Sequence, residues 1–575
     1  MSSCDESTST SEAIVSILED LGVERVFGYP GGRVIEFLEY LPASGVEFVR
    51  PRDEREASVM AEMYGRLTGN PGVLIGQGPW IGSLGGIGQM EAKLASSPMV
   101  VLTEASERGE YSTLAPYQQS RGDYGGLDLP SILESNTKEH WFPRTPAETL
   151  RSVQFAFKHA TAGRPGPTAV VLDGDAVTAD VPTDPIPPLW DARAQTRTWN
   201  PAPASSDVRA AVEALSSADR PVIVAGNGVH SAQAYEELQS VAETYGCAVV
   251  TSYLGKSTIP EVHPLATGVI GAFGHEGANQ VVSEADVLLV VGCRLNPMDT
   301  NWQAPSFIRP DEQTIVHLDI DPRNAGWVYP ADIGLVGDAT EGLRALEDGA
   351  GGDTSDNWAR ERAATARQCF TSSACESDAS PIKPQRAAKE IEAIVDSETT
   401  VTADSGNNRF WLLNYLQTPA VRTYFGSGGV GGMGWTNPAA VSAAIETDDD
   451  VDVVAVAGDG GFAMTMTSVE TAVEYGIAPT FVILNDTSPR MVRQMQHEDG
   501  GIAGIEFHDT DFVAIARGFD ADGTRVFTPS DLADALQEGT QRDTPFVIDV
   551  RIDRDVEMAD TLSSSFYESV GGLHE

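Results

Sequence analysis

Short apolar runs recur along the chain, each followed by a stretch long enough for a helix. In the first third they are Arg25-Val-Phe27, Val46-Glu-Phe-Val49, Gly72-Val-Leu-Ile75, Met99-Val-Val-Leu102 and Thr168-Ala-Val-Val-Leu172. The middle carries Pro221-Val-Ile-Val-Ala225, Ala248-Val-Val250, Val287-Leu-Leu-Val-Val291 and Thr314-Ile-Val-His-Leu318. The last third carries Thr400-Val-Thr402, Val451-Asp-Val-Val-Ala-Val-Ala457, Pro479-Thr-Phe-Val-Ile-Leu484 and Phe546-Val-Ile-Asp-Val550. Runs of this length without polar alternation read as strands covered on both faces. Strands spaced by helix-length segments imply parallel sheets with helices on either side. The expected fold class is therefore α/β, with three doubly wound domains built on mainly parallel sheets.

Two segments break the pattern. Val177 to Asp207 contains six prolines and reads as an extended strap. Gly349 to Gln385 is rich in Gly, Ser, Asp and Ala, with helical character from Trp358 to Gln368. They leave domains at 8–176, 203–347 and 383–558, in keeping with the about three or four domains that 575 residues allow.

Composition narrows the function classes. The chain has 84 acidic and 38 basic residues, for a net charge of −46, and the acids are spread along its length. Such a field repels nucleic acid and anionic membranes, so neither is an expected partner. It also implies a high-salt, halophilic cytoplasm in which screening relieves self-repulsion; an acidic protein with a cationic partner is the alternative. Five cysteines without Cys-x-x-Cys spacing support neither a disulfide framework nor a zinc site. The start lacks the basic and apolar regions of a signal peptide, and no uncharged apolar stretch approaches 18 residues, so the expected location is cytoplasmic.

Candidate chemistry lies in the last third. Gly458-Asp459-Gly460 follows one predicted strand, and after 24 further residues Asn485-Asp486 follows the next. Gly-Asp-Gly alone is an ordinary turn signal. Two carboxylates just past neighbouring parallel strand ends, however, stand where open α/β sheets bind ligands, and hard oxygen donors there suit magnesium or calcium, of which magnesium commonly completes its shell with phosphates and water.

These residues resemble the thiamine-diphosphate-dependent enzymes, and more closely the acetolactate synthase large subunits. The likeness extends through Gly28-Tyr-Pro-Gly-Gly32, Arg52-Asp53-Glu54, Ala61 to Gly69, Ser427 to Gly434, Pro438-Ala-Ala440 and Thr471 to Tyr475. It implies a pyrimidine-binding first domain, a central domain and a diphosphate-binding third domain. The implied cofactors are thiamine diphosphate and Mg2+, used to decarboxylate pyruvate and ligate it to a second 2-oxo acid in branched-chain amino acid biosynthesis.

The resemblance also assigns roles. Glu54 would set its carboxyl against the cofactor pyrimidine, and Gln118 would lie near the reacting carbon, though a plain loop amide reads equally well. Gly406, Asn407, Asn408, Gly431, Gly458, Gly460 and Gly461 would line the diphosphate, with Met433 wedged beneath the cofactor. Asp459, the Asp486 side chain and the Ser488 carbonyl would hold the metal. The family's site lies between two chains, which implies a dimer or tetramer, with a regulatory subunit as a further partner.

Several positions depart from the pattern. Asp486 replaces the usual Asn and adds a negative charge beside an anionic diphosphate. Asn407-Asn408 replaces Gln-His. Trp80 replaces Gly and sets an indole by the expected pocket. Gly292 to Pro297 lacks the acidic pair and second arginine of a flavin site, which argues against FAD, and Arg294 reads as a nucleotide contact or a structural ion pair. Residues 76–77 and 294–297 are reminiscent of sulfoacetaldehyde acetyltransferases, which leaves other acyl transfers open. A non-catalytic binding homologue is the reading from another class. The paired histidines of simple decarboxylases are lacking, which favours ligation over release of a free aldehyde.

The charge reading has a direct test: equilibrium unfolding should show greater stability at molar salt than in dilute buffer, and the reverse order would overturn the halophilic assignment.

Overall fold

A computed structural model describes residues 8–105, 120–121, 126–182, 188–352, 355–447, 451–496 and 503–558. Contacts divide the chain into two compact units, residues 1–199 and 200–575. The first unit holds one sheet and the second holds two.

In the first unit the strands are β1 (Arg25–Gly28), β2 (Glu47–Val49), β3 (Gly72–Gly76), β4 (Met99–Glu104), β5 (Glu139–Trp141) and β6 (Pro167–Leu172). They form one parallel sheet in the order β2-β1-β3-β4-β6-β5. The helix Glu54–Thr68 leads from β2 to β3; Asp53 caps its start by accepting the Glu56 N–H, and Gly69 ends it in the left-handed region at φ 76°. Gly65 in this helix is needed for a close approach, since a Cβ there would lie 2.1 Å from the Pro98 carbonyl oxygen.

The second unit begins with β7 (Pro221–Ala225), β8 (Ala248–Thr251), β9 (Ala266–Val269), β10 (Val287–Val291), β11 (Thr314–Asp319) and β12 (Ile333–Val336). Their order, β12-β11-β10-β7-β8-β9, reverses direction between β7 and β10, as in doubly wound dinucleotide-type sheets. It continues with β13 (Thr399–Ala403), β14 (Tyr424–Gly426), β15 (Asp452–Gly458), β16 (Thr480–Asn485), β17 (Asp522–Val526) and β18 (Phe546–Arg551). Here the order is β14-β13-β15-β16-β18-β17, the same arrangement as in the first unit. All three sheets are parallel throughout, as the apolar runs predict.

Three details differ from the sequence expectation. Five strands, β5, β9, β12, β14 and β17, have no counterpart among the predicted runs. The strap at 177–207 is not wholly extended: Ala192–Thr196 is a short helix, capped by Asp191, and Ala192 is buried in the first core. The helical run expected from Met464 to Tyr475 begins only at Ser468, and a separate helix, Asp459–Met464, precedes it. Among the described residues no helix is long and apolar enough to cross a membrane, and Cys247, Cys293, Cys369 and Cys375 are free thiols.

Within the second unit, a buried ion pair joins its two sheets. Lys256, from the loop after β8, meets Glu261 at 2.5 Å with side chains 0% and 1% exposed. Lys256 Nζ also donates to the Leu416 carbonyl at 2.8 Å, and Glu261 Oε2 accepts the Thr418 N–H at 2.9 Å. Burial pulls the Lys256 pKa down and Glu261 opposes it. Lys256→Met strands Glu261 as a buried charge and should cost about 3–5 kcal/mol, read as a lower urea midpoint; an unchanged midpoint would show that the pair does not hold the two sheets together.

Candidate functional site

The third sheet changes direction between β13 and β15, so the segments leaving these strands diverge and open a crevice at their C-terminal ends. Three neighbouring strand ends supply an aspartate each: Asp404 after β13, Asp459 after β15 and Asp486 after β16. All three are buried, at 0%, 5% and 5% exposure.

Their surroundings separate them. Asp404 accepts the Gly434 N–H at 2.9 Å on Oδ2 and the Trp435 N–H at 3.0 Å on Oδ1, which pins the glycine-rich loop that follows β14. Burial pushes its pKa up to about 6 from the ordinary 3.8, against the pull of these backbone donors. Asp459 opens the helix Asp459–Met464, and burial, followed by the nearby charge of Asp486, pushes its pKa up to about 7. Burial also raises Asp486, opposed by the Ser488 hydroxyl and by Arg490. Asp486 thus makes a negative charge on Asp459 harder to hold, and a cation between the two would relieve it.

The turn after β16 holds Asp486 in position. Asn485 donates to Asp549 at 2.8 Å and accepts the Thr487 N–H at 3.1 Å. Thr487 is forced to φ 60°, a left-handed conformation uncommon for a β-branched residue. Ser488 places its N–H and Oγ on Asp486 Oδ1, at 3.1 and 3.0 Å. Asp486 Oδ2 is buried and has no hydrogen-bond partner among the described residues. A carboxylate oxygen without a hydrogen bond, beside a second carboxylate, fits a hard divalent cation, so the donor set suits Mg2+.

The expected diphosphate contacts gather at the same edge. Gly406, at φ 106°, starts the helix Asn407–Tyr415. Asn408 commits its Nδ2 to the Asp404 carbonyl at 2.7 Å. Asn407 Oδ1 is buried without a hydrogen-bond partner among the described residues, so Asn407 retains more capacity for a ligand. Gly431 adopts φ 71°, with the Ser405 Oγ and an Arg409 nitrogen nearest to where a Cβ would be. Gly461 must be glycine because a Cβ would lie 2.0 Å from Asp404 Oδ2. At Gly460 a Cβ would stand 2.9 Å from the Phe507 ring and 3.3 Å from the Met433 methyl, so both apolar side chains converge beside it.

Glu54 belongs to the first unit. It is the first residue of its helix, 4% exposed, with its Cγ next to Gly76 at the end of β3. Burial raises its pKa, its own N–H works against this, and Asp53 adds to the rise. A carboxyl so placed keeps its proton more readily than one in water. Gln118 lies outside the described residues. Trp80 is 43% exposed on the short helix Gly78–Gly82.

In the middle sheet the loop after β10 is engaged with itself. Asp299 is buried and pushed to about 7 by burial; it accepts the Tyr253 N–H and the Asn296 amide, and Arg294 acts on it electrostatically. This electrostatic contact is in keeping with the ion-pair reading of Arg294.

Sequence reasoning missed Asp404 and Phe507. The rule that selected Asp459 and Asp486, a carboxylate just past a parallel strand end, also selects Asp404. Phe507 carries no such signal; the bond from its N–H to the Thr487 carbonyl, 2.9 Å, brings it to the site.

Comparison with known proteins agrees with this geometry. Residues 8–125 match the thiamine pyrophosphate enzyme N-terminal TPP binding domain, residues 208–346 the central domain, and residues 404–550 the C-terminal TPP binding domain. The chain is 32% identical over 567 residues to a probable acetolactate synthase large subunit of Methanocaldococcus jannaschii, covering 94% of this chain and 92% of that protein. It is 33% identical over 570 residues to the corresponding protein of Methanococcus aeolicus, with 94% and 92% covered. To the acetolactate synthase isozyme 3 large subunit of Escherichia coli it is 29% identical, with 93% of each chain covered.

Because the Asp404 pKa lies above the unfolded value, its contribution to stability is greatest in acid and is lost as pH rises through about 6. Asp404→Asn turns an NH2 toward one of two backbone donors. It should cost about 1–3 kcal/mol at neutral pH, flatten stability between pH 4 and 6, and speed amide exchange at Gly434 and Trp435; unchanged exchange would show that the loop stands without this carboxylate.

Proposed function

We propose that this chain, which belongs to the thiamine pyrophosphate enzyme family and stands close to the acetolactate synthase large subunits, decarboxylates pyruvate and ligates the remaining two-carbon unit to a second 2-oxo acid. The observation that carries the reading is the pair Asp459 and Asp486, buried on adjacent strand ends with one carboxylate oxygen free of hydrogen bonds among the described residues. Likeness to the acetolactate synthases over the length of both chains favours ligation over release of an aldehyde.

Each group has work to do. Asp459, Asp486 and the Ser488 carbonyl would hold Mg2+, with Gly406, Asn407, Asn408, Gly431, Gly458, Gly460 and Gly461 around the diphosphate. Thiamine diphosphate, when bound, supplies the electron sink that lets a 2-oxo acid lose CO2. Glu54, whose burial favours the protonated form, would set its carboxyl against the pyrimidine ring. Met433 and Phe507 present apolar surface beside Gly460, and low-dielectric surroundings there would favour loss of a carboxylate whose charge becomes dispersed. Gln118 would orient the acceptor.

The assembly is read as cytoplasmic and at least dimeric, with Glu54 of one copy completing the site of the other. The relatives are named large subunits, which supports a smaller regulatory partner for this chain as well.

Purified protein at high salt with pyruvate, Mg2+ and thiamine diphosphate should yield acetolactate with one CO2 per product. Glu54→Gln should lower kcat by about 100-fold or more while cofactor still binds. CO2 without acetolactate would overturn ligation, acyl phosphate formed only when phosphate is added would favour acyl transfer, and silence with every 2-oxo acid would favour a binding subunit.

A further inference from the structure

The extra charge of Asp486 has a partner of its own. Its two oxygens are used differently: Oδ1 is occupied by the Ser488 N–H and hydroxyl, whereas Oδ2 is left without a hydrogen bond. Arg490 Nε lies 3.7 Å from Oδ2, with side chains 10% and 3% exposed. That separation is too long for a hydrogen bond but short for two partly desolvated charges. Arg490 is held from the other side, donating from Nη2 to the Val556 carbonyl at 2.7 Å. It stands four residues after Asp486, at the first position of the helix Arg490–Gln496.

We propose that Arg490 is a built-in counter-ion to Asp486, so that the aspartate–arginine pair presents the same net charge to metal and diphosphate as the neutral asparagine usual in this family. This inference rests on the cofactor reading above. Because the guanidinium stands off at 3.7 Å, it balances charge without occupying the oxygen that would ligate the cation. Arg490 is thus a positioning residue that acts through Asp486.

The pair makes an unusual prediction, since one charge change must move two ligands in opposite directions. Without Arg490 the site is more negative: it should attract a bare cation more strongly and a diphosphate less. Without the Asp486 charge the reverse holds. A group that merely supports the local fold would weaken both.

The test is binding rather than turnover. Mn2+ alone, by electron paramagnetic resonance, and thiamine diphosphate at saturating Mg2+, by calorimetry, are measured at fixed pH and salt for the full-length protein. Arg490→Gln should bind Mn2+ several-fold more tightly and thiamine diphosphate about tenfold more weakly. Asp486→Asn should bind Mn2+ about tenfold more weakly and thiamine diphosphate at least as tightly. The double variant should return both affinities to within about threefold of the wild type, and Arg490→Lys, which keeps the charge, should do so alone. Parallel losses for both ligands in Arg490→Gln, no change in either, or additive effects in the double variant would overturn the counter-ion role while leaving the cofactor reading intact. Failure of the wild-type protein to bind either probe would overturn both.

Discussion

The contact on which the third domain's edge depends is the pair of hydrogen bonds from Gly434 and Trp435 to Asp404. It fastens the loop after β14 across the end of β13, and its effects spread outward. Gly461 has no room for a side chain because Asp404 Oδ2 fills that space. Gly434 turns through φ 80°, and its carbonyl accepts from Thr465 Oγ1, which in turn accepts from Asn437. Those bonds sit at the break between the helices Asp459–Met464 and Ser468–Tyr475. Helix propensity favours continuity there, yet the polar contacts of Thr465 to the glycine loop win. One carboxylate thus turns two loops from different strands into a single surface.

Three aspartates stand at equivalent places on adjacent strands, and hydrogen bonding decides what each can do. Asp404 has an N–H on each oxygen and is spent on structure. Asp486 raises the affinity of Asp459 for positive charge, and Asp486 keeps an oxygen free of hydrogen bonds among the described residues. Position alone therefore selects candidates, and the census of donors separates a fastener from a ligand. The same reasoning distinguishes the asparagines: Asn408 has given its donor to the backbone, while Asn407 has an oxygen still to satisfy.

What was legible in the sequence follows from burial. Every interior strand is covered on both faces and shows as an apolar run, so all were found. The five missed strands, β5, β9, β12, β14 and β17, each lie at an edge of a sheet. An edge strand pairs on one side only and tolerates polar residues, as in Glu139–Trp141 and Asp522–Val526. Glu54 was legible only through resemblance, because a glutamate amid charged neighbours at a helix start is ordinarily solvated. Phe507 and Arg490 were not legible, since their roles depend on where a turn carries the chain rather than on local pattern.

Asp486 shows how a position read singly misleads. Taken alone, it looks like a charge opposed to the ligand. The fold places an arginine beside it, and this recurs within the chain: Arg66 lies between Glu62 and Glu91, and Arg525 meets Asp549, which is wholly buried. Only six of the basic residues are lysines, so arginine carries most of the positive charge. Its planar, weakly hydrated guanidinium is the cation best suited to partial burial. Pairs of this kind neutralise interior carboxylates locally, and the surplus behind the net charge of −46 is left to the exposed acids. Screening by salt acts on charges that face solvent and far less on buried pairs. Ionic strength should therefore govern whether the chain stays folded, while the affinity of the site is set by the few charges that the fold itself has placed there.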